Sequence, residues 1–203
     1  MTDAALTHIR KKDKTMARLI ERVGPFKIDR KPTDPYPALV RSIVHQQLST
    51  KAAASIHRRL LGLFPGEVLP PPAQLASTDV ATLRSAGLSR SKVAALHDLA
   101  AKVEAGLIPD ARRIRRMSDD DIVEILTTIR GIGRWSVEMY LIFNLQRPDV
   151  LPANDFGVRK GFAKVYRLSE LPTPAEILAF GERWRPYRTL PSWYLWRALE
   201  LED

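Results

Sequence analysis

The stretch that most constrains this chain is Leu126-Thr127-Thr128-Ile129-Arg130-Gly131-Ile132-Gly133-Arg134-Trp135-Ser136-Val137-Glu138. Before it, Ile122, Ile125, Leu126 and Ile129 recur at helical spacing; after it, Trp135, Met139, Ile142 and Phe143 do the same. The pattern predicts a helix, a tight Gly-X-Gly turn and a second helix. Gly131 and Gly133 can take positive φ and let another backbone come close. The second helix opens with unpaired N–H groups at the positive end of its dipole, which suits a phosphate. On these residues alone, an ordinary helix hairpin and a phosphate-docking hairpin both stay open.

Charge bears on that choice. The 203 residues include 32 Lys and Arg against 23 Asp and Glu, a net charge of +9. Such an excess favours a polyanionic partner, nucleic acid ahead of an anionic membrane surface. A hydrophobic content of 45% is enough for one large domain or two small lobes. The absence of cysteine excludes disulfides, a Cys-ligated iron–sulfur cluster and a thiolate zinc site. No segment has the apolar length of a membrane span, and the N-terminus lacks the apolar run of a signal peptide. The expectation is a cytoplasmic protein, nucleoid-associated if bacterial, with no membrane partner.

Residues 1 to about 24 read as one helix, with Leu6, Ile9, Met16, Leu19, Ile20 and Val23 on its apolar side. Gly24-Pro25 stops it, and Pro25, Pro32, Pro35 and Pro37 mark an extended connector. Pro37 suits the first turn of a helix carrying Leu39, Val40, Ile43, Val44 and Leu48. That helix ends in His45-Gln46-Gln47-Leu48, either an exposed polar end or a contact surface. Ser49 or Thr50 can cap a helix from Lys51 to Phe64. Pro70-Pro71-Pro72 marks a rigid surface loop, and short helices follow near 78–85 and 89–105. Between those two, Gly87-Leu88-Ser89-Arg90 echoes Gly131-Ile132-Gly133-Arg134. Arg112, Arg113, Arg115 and Arg116 form a basic loop, and Ser118 with Asp119, Asp120 and Asp121 starts the first hairpin helix. Beyond the hairpin, Pro148 and Pro152 frame a loop into Asp155 and a helix with Val158, Phe162, Val165 and Tyr166 inward. Thr173-Pro174-Ala175-Glu176 signals another helix start, and the tail is rich in aromatics. No stretch alternates long enough for a strand, so the predicted fold is all-α.

Asp155 is the acid to single out. By itself it is a helix N-cap or a catalytic carboxylate. It lies 24 residues beyond Gly131, and that combination resembles the helix-hairpin-helix–Gly/Pro–Asp superfamily of DNA glycosylases. Ile43-Val44-His45-Gln46-Gln47-Leu48-Ser49, Ala86-Gly87-Leu88-Ser89-Arg90-Ser91-Lys92, Leu151-Pro152-Ala153-Asn154-Asp155 and Trp184-Arg185-Pro186-Tyr187-Arg188 resemble its alkylbase branch, the 3-methyladenine DNA glycosylase II type. The likeness runs in order over roughly residues 20 to 200. Arg130 stands where the family's hairpin has proline.

The resemblance implies a base excision repair enzyme that flips a damaged nucleotide out of double-stranded DNA. It implies strand binding by the hairpin at Gly131, Gly133, Arg134 and Ser136, and a wedge at Gln47 with Leu48 beside it. It implies Asp155 as the catalytic carboxylate and Trp135, Trp196 and Met139 at base-pocket positions, where an indole stacks on a cationic base. Bifunctional members place a Schiff-base lysine at the position of Trp135, so a monofunctional hydrolase of alkylated purines is implied, without lyase activity. No cofactor is required; a structural monovalent cation on the carbonyls of Thr127, Ile129 and Ile132 is expected. A silent lesion-binding module and a glycosylase for deaminated bases remain as alternatives. Trp184 and Trp193 are read as core. The expected architecture is two helical lobes with a cleft between them: 36–145 as one, and 1–35 with 146–203 as the other, carrying Asp155. The extra N-terminal domain of some relatives is not expected, and the protein is expected to be a monomer.

Overall fold

The computed structural model describes residues 3–28 and 32–202. The parts of the first predicted helix at 1–2 and of the proline connector at 29–31 lie outside the described residues. Thirteen α-helices and no strand occur among the described residues, so the fold is all-α. In chain order they are α1 (Asp3–Lys12), α2 (Lys14–Val23), α3 (Pro35–His45), α4 (Thr50–Leu61), α5 (Pro72–Ser77), α6 (Val80–Ser85), α7 (Arg90–Glu104), α8 (Ala111–Ile114), α9 (Asp119–Thr127), α10 (Arg134–Phe143), α11 (Phe156–Tyr166), α12 (Pro174–Gly181) and α13 (Thr189–Ala198).

Most starts follow the side-chain chemistry. Ser49, Asp79, Ser89, Asp110, Ser118, Asp155 and Thr173 each accept a hydrogen bond from an N–H of the first turn. Such a cap contributes about 1 kcal/mol, which matters most for the short helices. Thr173 and Glu176 complete a reciprocal capping box.

The single helix expected over 1–24 is two. Asp13 takes extended backbone angles and caps α2 through the N–H groups of Thr15 and Met16. Its other oxygen accepts the Tyr166 hydroxyl at 2.6 Å and the Trp184 indole N–H at 2.9 Å. A buried carboxylate therefore gathers four donors, and the helix breaks to let it do so. The predicted basic loop contains the single turn α8, and Pro72 opens α5 at the third position of the proline run.

The chain divides into two compact units, Lys31–Tyr140 and Met1–Arg30 with Leu141–Asp203. The sequence boundary falls inside α10. In the 31–140 unit, α3, α5 and α6 pack on α7, and Leu39, Ile43, Leu75, Leu83, Leu96 and Leu99 are fully buried. Burying each such side chain stabilises the fold by about 1.5–3 kcal/mol. In the other unit α11 lies directly on α13. A Cβ added at Gly161 would overlap the Leu195 carbonyl, so only glycine allows that approach. Ile9, Met16, Phe162, Trp184, Leu190 and Tyr194 belong to its core. Trp184 is wholly buried, and Trp193 packs edge-on against Phe26 and Tyr194. No helix is long and apolar enough to cross a membrane among the described residues.

Candidate functional site

The hairpin between α9 and α10 is held from below by Ile129 and Ile132, both buried. The Ile132 N–H closes the turn on the Ile129 carbonyl at 3.0 Å. Gly131 has φ +77, a left-handed conformation that favours glycine. Gly133 is a different case. Its φ lies outside that region, and a Cβ there would meet nothing within 4 Å. The protein's own packing does not ask for glycine at 133, and the space above it is open. The first intrahelical bond of α10 runs from Val137 N–H to Gly133 O. The N–H groups of Arg134 and Ser136 precede it, in the turn a helix leaves without internal acceptors. Ser136 is buried. The exposed Arg134 guanidinium is paired along the helix with the buried Glu138 at 3.1 Å.

Helix α7 supports the hairpin. A Cβ built on Gly131 would stand 3.5 Å from the Ala95 Cβ. One turn on, the Asp98 carboxylate accepts the Arg130 N–H at 2.7 Å and the Lys102 ammonium at 2.6 Å. The same ammonium donates to Thr128 O at 2.9 Å. Asp98 is held below the ordinary carboxylate range. Partial burial pushes it upward, but the Arg130 N–H and the Lys102 ammonium outweigh that.

The loop after α3 adjoins the hairpin. The Gln46 side-chain amide donates to Gly131 O at 2.9 Å. Gln47 is exposed and takes the left-handed φ of +55, and Leu48 is 39% exposed. The Lys92 ammonium donates to the carbonyls of Val44 and Gln46 at 2.7 and 2.9 Å, and burial lowers its pKa. The echo at Gly87 has a positive φ of +96, but Ser89 caps the helix that follows through Lys92 N–H.

The other unit carries Asp155. Arg188 grips the Asp149 carboxylate through Nε and Nη2 at 2.8 and 3.1 Å, and Arg185 reaches it at 2.7 Å. Thr189 binds the loop at Arg147 O and Val150 N–H, and the Ser192 hydroxyl donates to Val150 O. Thus the Trp184–Arg188 motif and the start of α13 fasten the 147–150 loop. The chain then turns through buried Leu151, Pro152 and Ala153 into Asp155. Asp155 Oδ1 accepts two bonds of 2.8 Å, from Val158 N–H and from the Trp196 indole N–H. Trp196 stacks on Phe143 with ring centroids 5.6 Å apart. A Cβ at Gly157 would sit 2.9 Å from Trp196 Cδ1 and 3.0 Å from Asp155 Oδ1, so glycine is what lets the indole reach the carboxylate.

Asp155 and Trp196 are thus brought together, as are the Gln46–Leu48 loop and the hairpin. Trp135, 46% exposed, and half-buried Met139 lie on successive turns of α10. Phe156, at the first position of α11 after Asp155, is 65% exposed. The contacts of Lys92 and Asp98 with main-chain atoms 48 and 32 residues away have no local sequence signal. Among the described residues no group of three or more His, Cys, Asp or Glu could hold a metal ion. Thr127, Ile129 and Ile132 would offer only neutral carbonyls, a donor set that suits a weakly held monovalent cation.

Residues 40–186 match the family described as HhH-GPD superfamily base excision DNA repair protein. The chain is 37% identical over 198 residues to DNA-3-methyladenine glycosylase 1 of Schizosaccharomyces pombe, covering 97% of this chain and 87% of that protein. It is similar to the structure of the Schizosaccharomyces pombe 3-methyladenine DNA glycosylase in complex with abasic DNA, with a TM-score of 0.88, 36% identity and 98% of both chains covered. The structure of a DNA-3-methyladenine glycosidase from Bacillus halodurans gives a TM-score of 0.86 at 34% identity, over 97% of this chain and 89% of that one.

Proposed function

The chain belongs to the HhH-GPD superfamily of base excision DNA repair proteins, and we propose that it is a monofunctional glycosylase releasing alkylated purines of the 3-methyladenine and 7-methylguanine type from double-stranded DNA. The observation that carries this reading is the Asp155 carboxylate, oriented by the Val158 N–H and the Trp196 indole on a loop fastened by Arg188.

Breaking an N-glycosidic bond builds oxocarbenium charge at C1′ of the sugar. A fixed carboxylate stabilises that charge and takes a proton from the water that adds to C1′. The base leaves with the bonding electron pair. An N3- or N7-alkylated purine is cationic while attached and departs neutral, so no general acid is needed. The exposed indole of Trp135 favours such a cationic base by cation–π attraction. Because Trp135 stands where bifunctional relatives carry lysine, no amine is offered there for an imine, and hydrolysis is the reading.

The hairpin backbone at Gly131, Gly133, Arg134 and Ser136 grips phosphate, and open space above Gly133 supports this. Gln47, with Leu48 beside it, fills the gap left by the flipped nucleotide. A monovalent cation on the carbonyls of Thr127, Ile129 and Ile132 would add to the phosphate grip. The proposed protein acts as a monomer in the cytoplasm, on the nucleoid if bacterial.

The test is release of 3-methyladenine and 7-methylguanine from methylated duplex DNA. Wild type releases both, and Asp155→Asn loses about 10²–10³-fold of the rate, the scale of removing a key electrostatic group. Release undiminished in Asp155→Asn sinks the assignment of Asp155. Tight lesion binding without release by wild type indicates a silent module instead. Borohydride trapping of a covalent protein–DNA adduct would refute the monofunctional reading.

A further inference from the structure

We infer that Lys92 is a positioning residue for base flipping: it locks the Gln46–Leu48 turn, and α7 thereby holds that turn and the Gly131 hairpin at one fixed spacing. The inference rests on the reading of Gln47 as the wedge.

The last carbonyls of a helix have no internal donors, and here two near the end of α3, those of Val44 and Gln46, are taken by one ammonium. A cation at a helix C-terminus is also favoured by the helix dipole. Gln47 follows directly, with a left-handed φ that a residue bearing a Cβ holds only where its surroundings impose it. Its surroundings do so from both sides. Lys92 fixes the carbonyl before it, and Ser49 caps α4 just after it through Ala52 N–H. The lysine is partly withdrawn from water and turned to main-chain oxygens, so its part is geometric.

The same helix reaches the hairpin. Lys92, Ala95, Asp98 and Lys102 follow at helical spacing along α7. Lys92 meets the Val44 and Gln46 carbonyls, Ala95 faces Gly131, Asp98 meets the Arg130 N–H and Lys102 the Thr128 carbonyl. Gln46 closes the circuit by donating to Gly131 O. The proposed wedge and the proposed phosphate grip are thus mounted on one rigid rod. A wedge enters a duplex at a set distance from the phosphates being held, so fixing that distance in the free protein removes an ordering step from flipping.

The experiment compares wild type, Lys92→Met, Gln46→Leu and Gln47→Ala on a duplex carrying 2-aminopurine beside a 7-methylguanine. Fluorescence rise on binding reports unstacking, single-turnover release reports excision, and anisotropy with undamaged duplex reports the phosphate grip. Lys92→Met is expected to lose most of the fluorescence rise and about tenfold in excision, the cost of a misplaced group. It is expected to keep undamaged-duplex affinity within about twofold, because the lysine ammonium it lacks is turned to main-chain carbonyls and not offered to phosphate. Gln46→Leu, at a solvent-facing bond, provides the same readout if Lys92→Met does not fold, with a smaller loss of fluorescence. The inference is overturned if Lys92→Met, or Gln46→Leu where Lys92→Met does not fold, unstacks and excises like wild type. It is also overturned if unstacking, excision and undamaged binding fall in parallel with helicity, since Lys92 would then act only on folding. Gln47→Ala separates the two layers. If it unstacks like wild type, the wedge reading fails and this inference with it; if it does not, while Lys92→Met does, the wedge stands and the positioning role falls.

Discussion

The hairpin's contact with α7 makes a quantitative test possible. Arg130 has a backbone N–H, and that N–H donates to Asp98 at 2.7 Å. A hydrogen bond to a charged group is worth about 1.5–3 kcal/mol. The Lys102–Asp98 pair, with side chains 21% and 30% exposed, adds about 0–1 kcal/mol. Because water can replace part of what is lost at a site this open, Asp98→Ala should cost about 2 kcal/mol of unfolding free energy in all. Arg130→Pro removes the donor. In that background only the lysine pair remains to be lost, so Asp98→Ala should cost about 0.5–1 kcal/mol. The expected coupling between the two sites is therefore about 1–1.5 kcal/mol, well outside the 0.3–0.5 kcal/mol scatter of independent sites. Urea unfolding of the four proteins measures it. Costs that simply add would refute the claim that Asp98 is matched to the Arg130 N–H. The same carboxylate gives a pH signature. Its folded-state pKa is depressed, so its stabilisation is fully present above the ordinary value of 3.8 and is lost as pH falls through the lower folded value. Asp98→Asn should remove that part of the acid destabilisation and leave the alkaline side unchanged.

Trp196→Phe keeps a ring to stack on Phe143 but loses the indole donor to Asp155; a fall of about tenfold in kcat with little change in KM is expected, and a raised KM with kcat unchanged would mark a binding role instead. Gly157→Ala puts a Cβ 2.9 Å from the Trp196 ring, and it should cost about 1–3 kcal/mol of stability by overpacking and lower excision as well; wild-type behaviour would mean the indole can withdraw freely. Asp13→Ala strands the Tyr166 hydroxyl and the Trp184 indole N–H in the core and removes the α2 cap; a loss of about 3–5 kcal/mol in thermal or urea unfolding is expected, and a loss under 1 kcal/mol would refute the account of the α1–α2 break.

What could be read from the chain alone follows from the range of each interaction. The hairpin, the caps at Ser49, Ser118 and Thr173, and the all-helical character rest on periodicity and on contacts within four residues, which a sequence displays directly. The Asp13 break rests on donors 153 and 171 residues away, so an apolar pattern continuous across it concealed two helices. Lys92 and Asp98 carry no local signal of their contacts. Their meaning lies in which main-chain atoms stand opposite, at separations of 48 and 32 residues. The Trp184–Arg188 motif could be matched to a family, but its work in fastening Asp149, and through it the approach to Asp155, is visible only in three dimensions.

For Asp155, the helix N-cap seen in the structure and the catalytic carboxylate proposed above are compatible readings. The cap bond from Val158 N–H and the bond from Trp196 fall on the same oxygen, Oδ1, and together they fix the plane in which the carboxylate lies. A carboxylate that must meet a developing charge gains from such fixing, because it need not reorganise as the charge appears. On the proposed assignment of Asp155, helix capping is the means of preorganisation. It also decides which substitution isolates chemistry from folding. Asparagine is as good an N-cap as aspartate and keeps an Oδ1 to accept both bonds, so Asp155→Asn removes the charge while keeping the cap and the Trp196 bond. Alanine at the same place removes charge, cap and the partner of the Trp196 indole together, and its loss of activity would say nothing about which of them mattered.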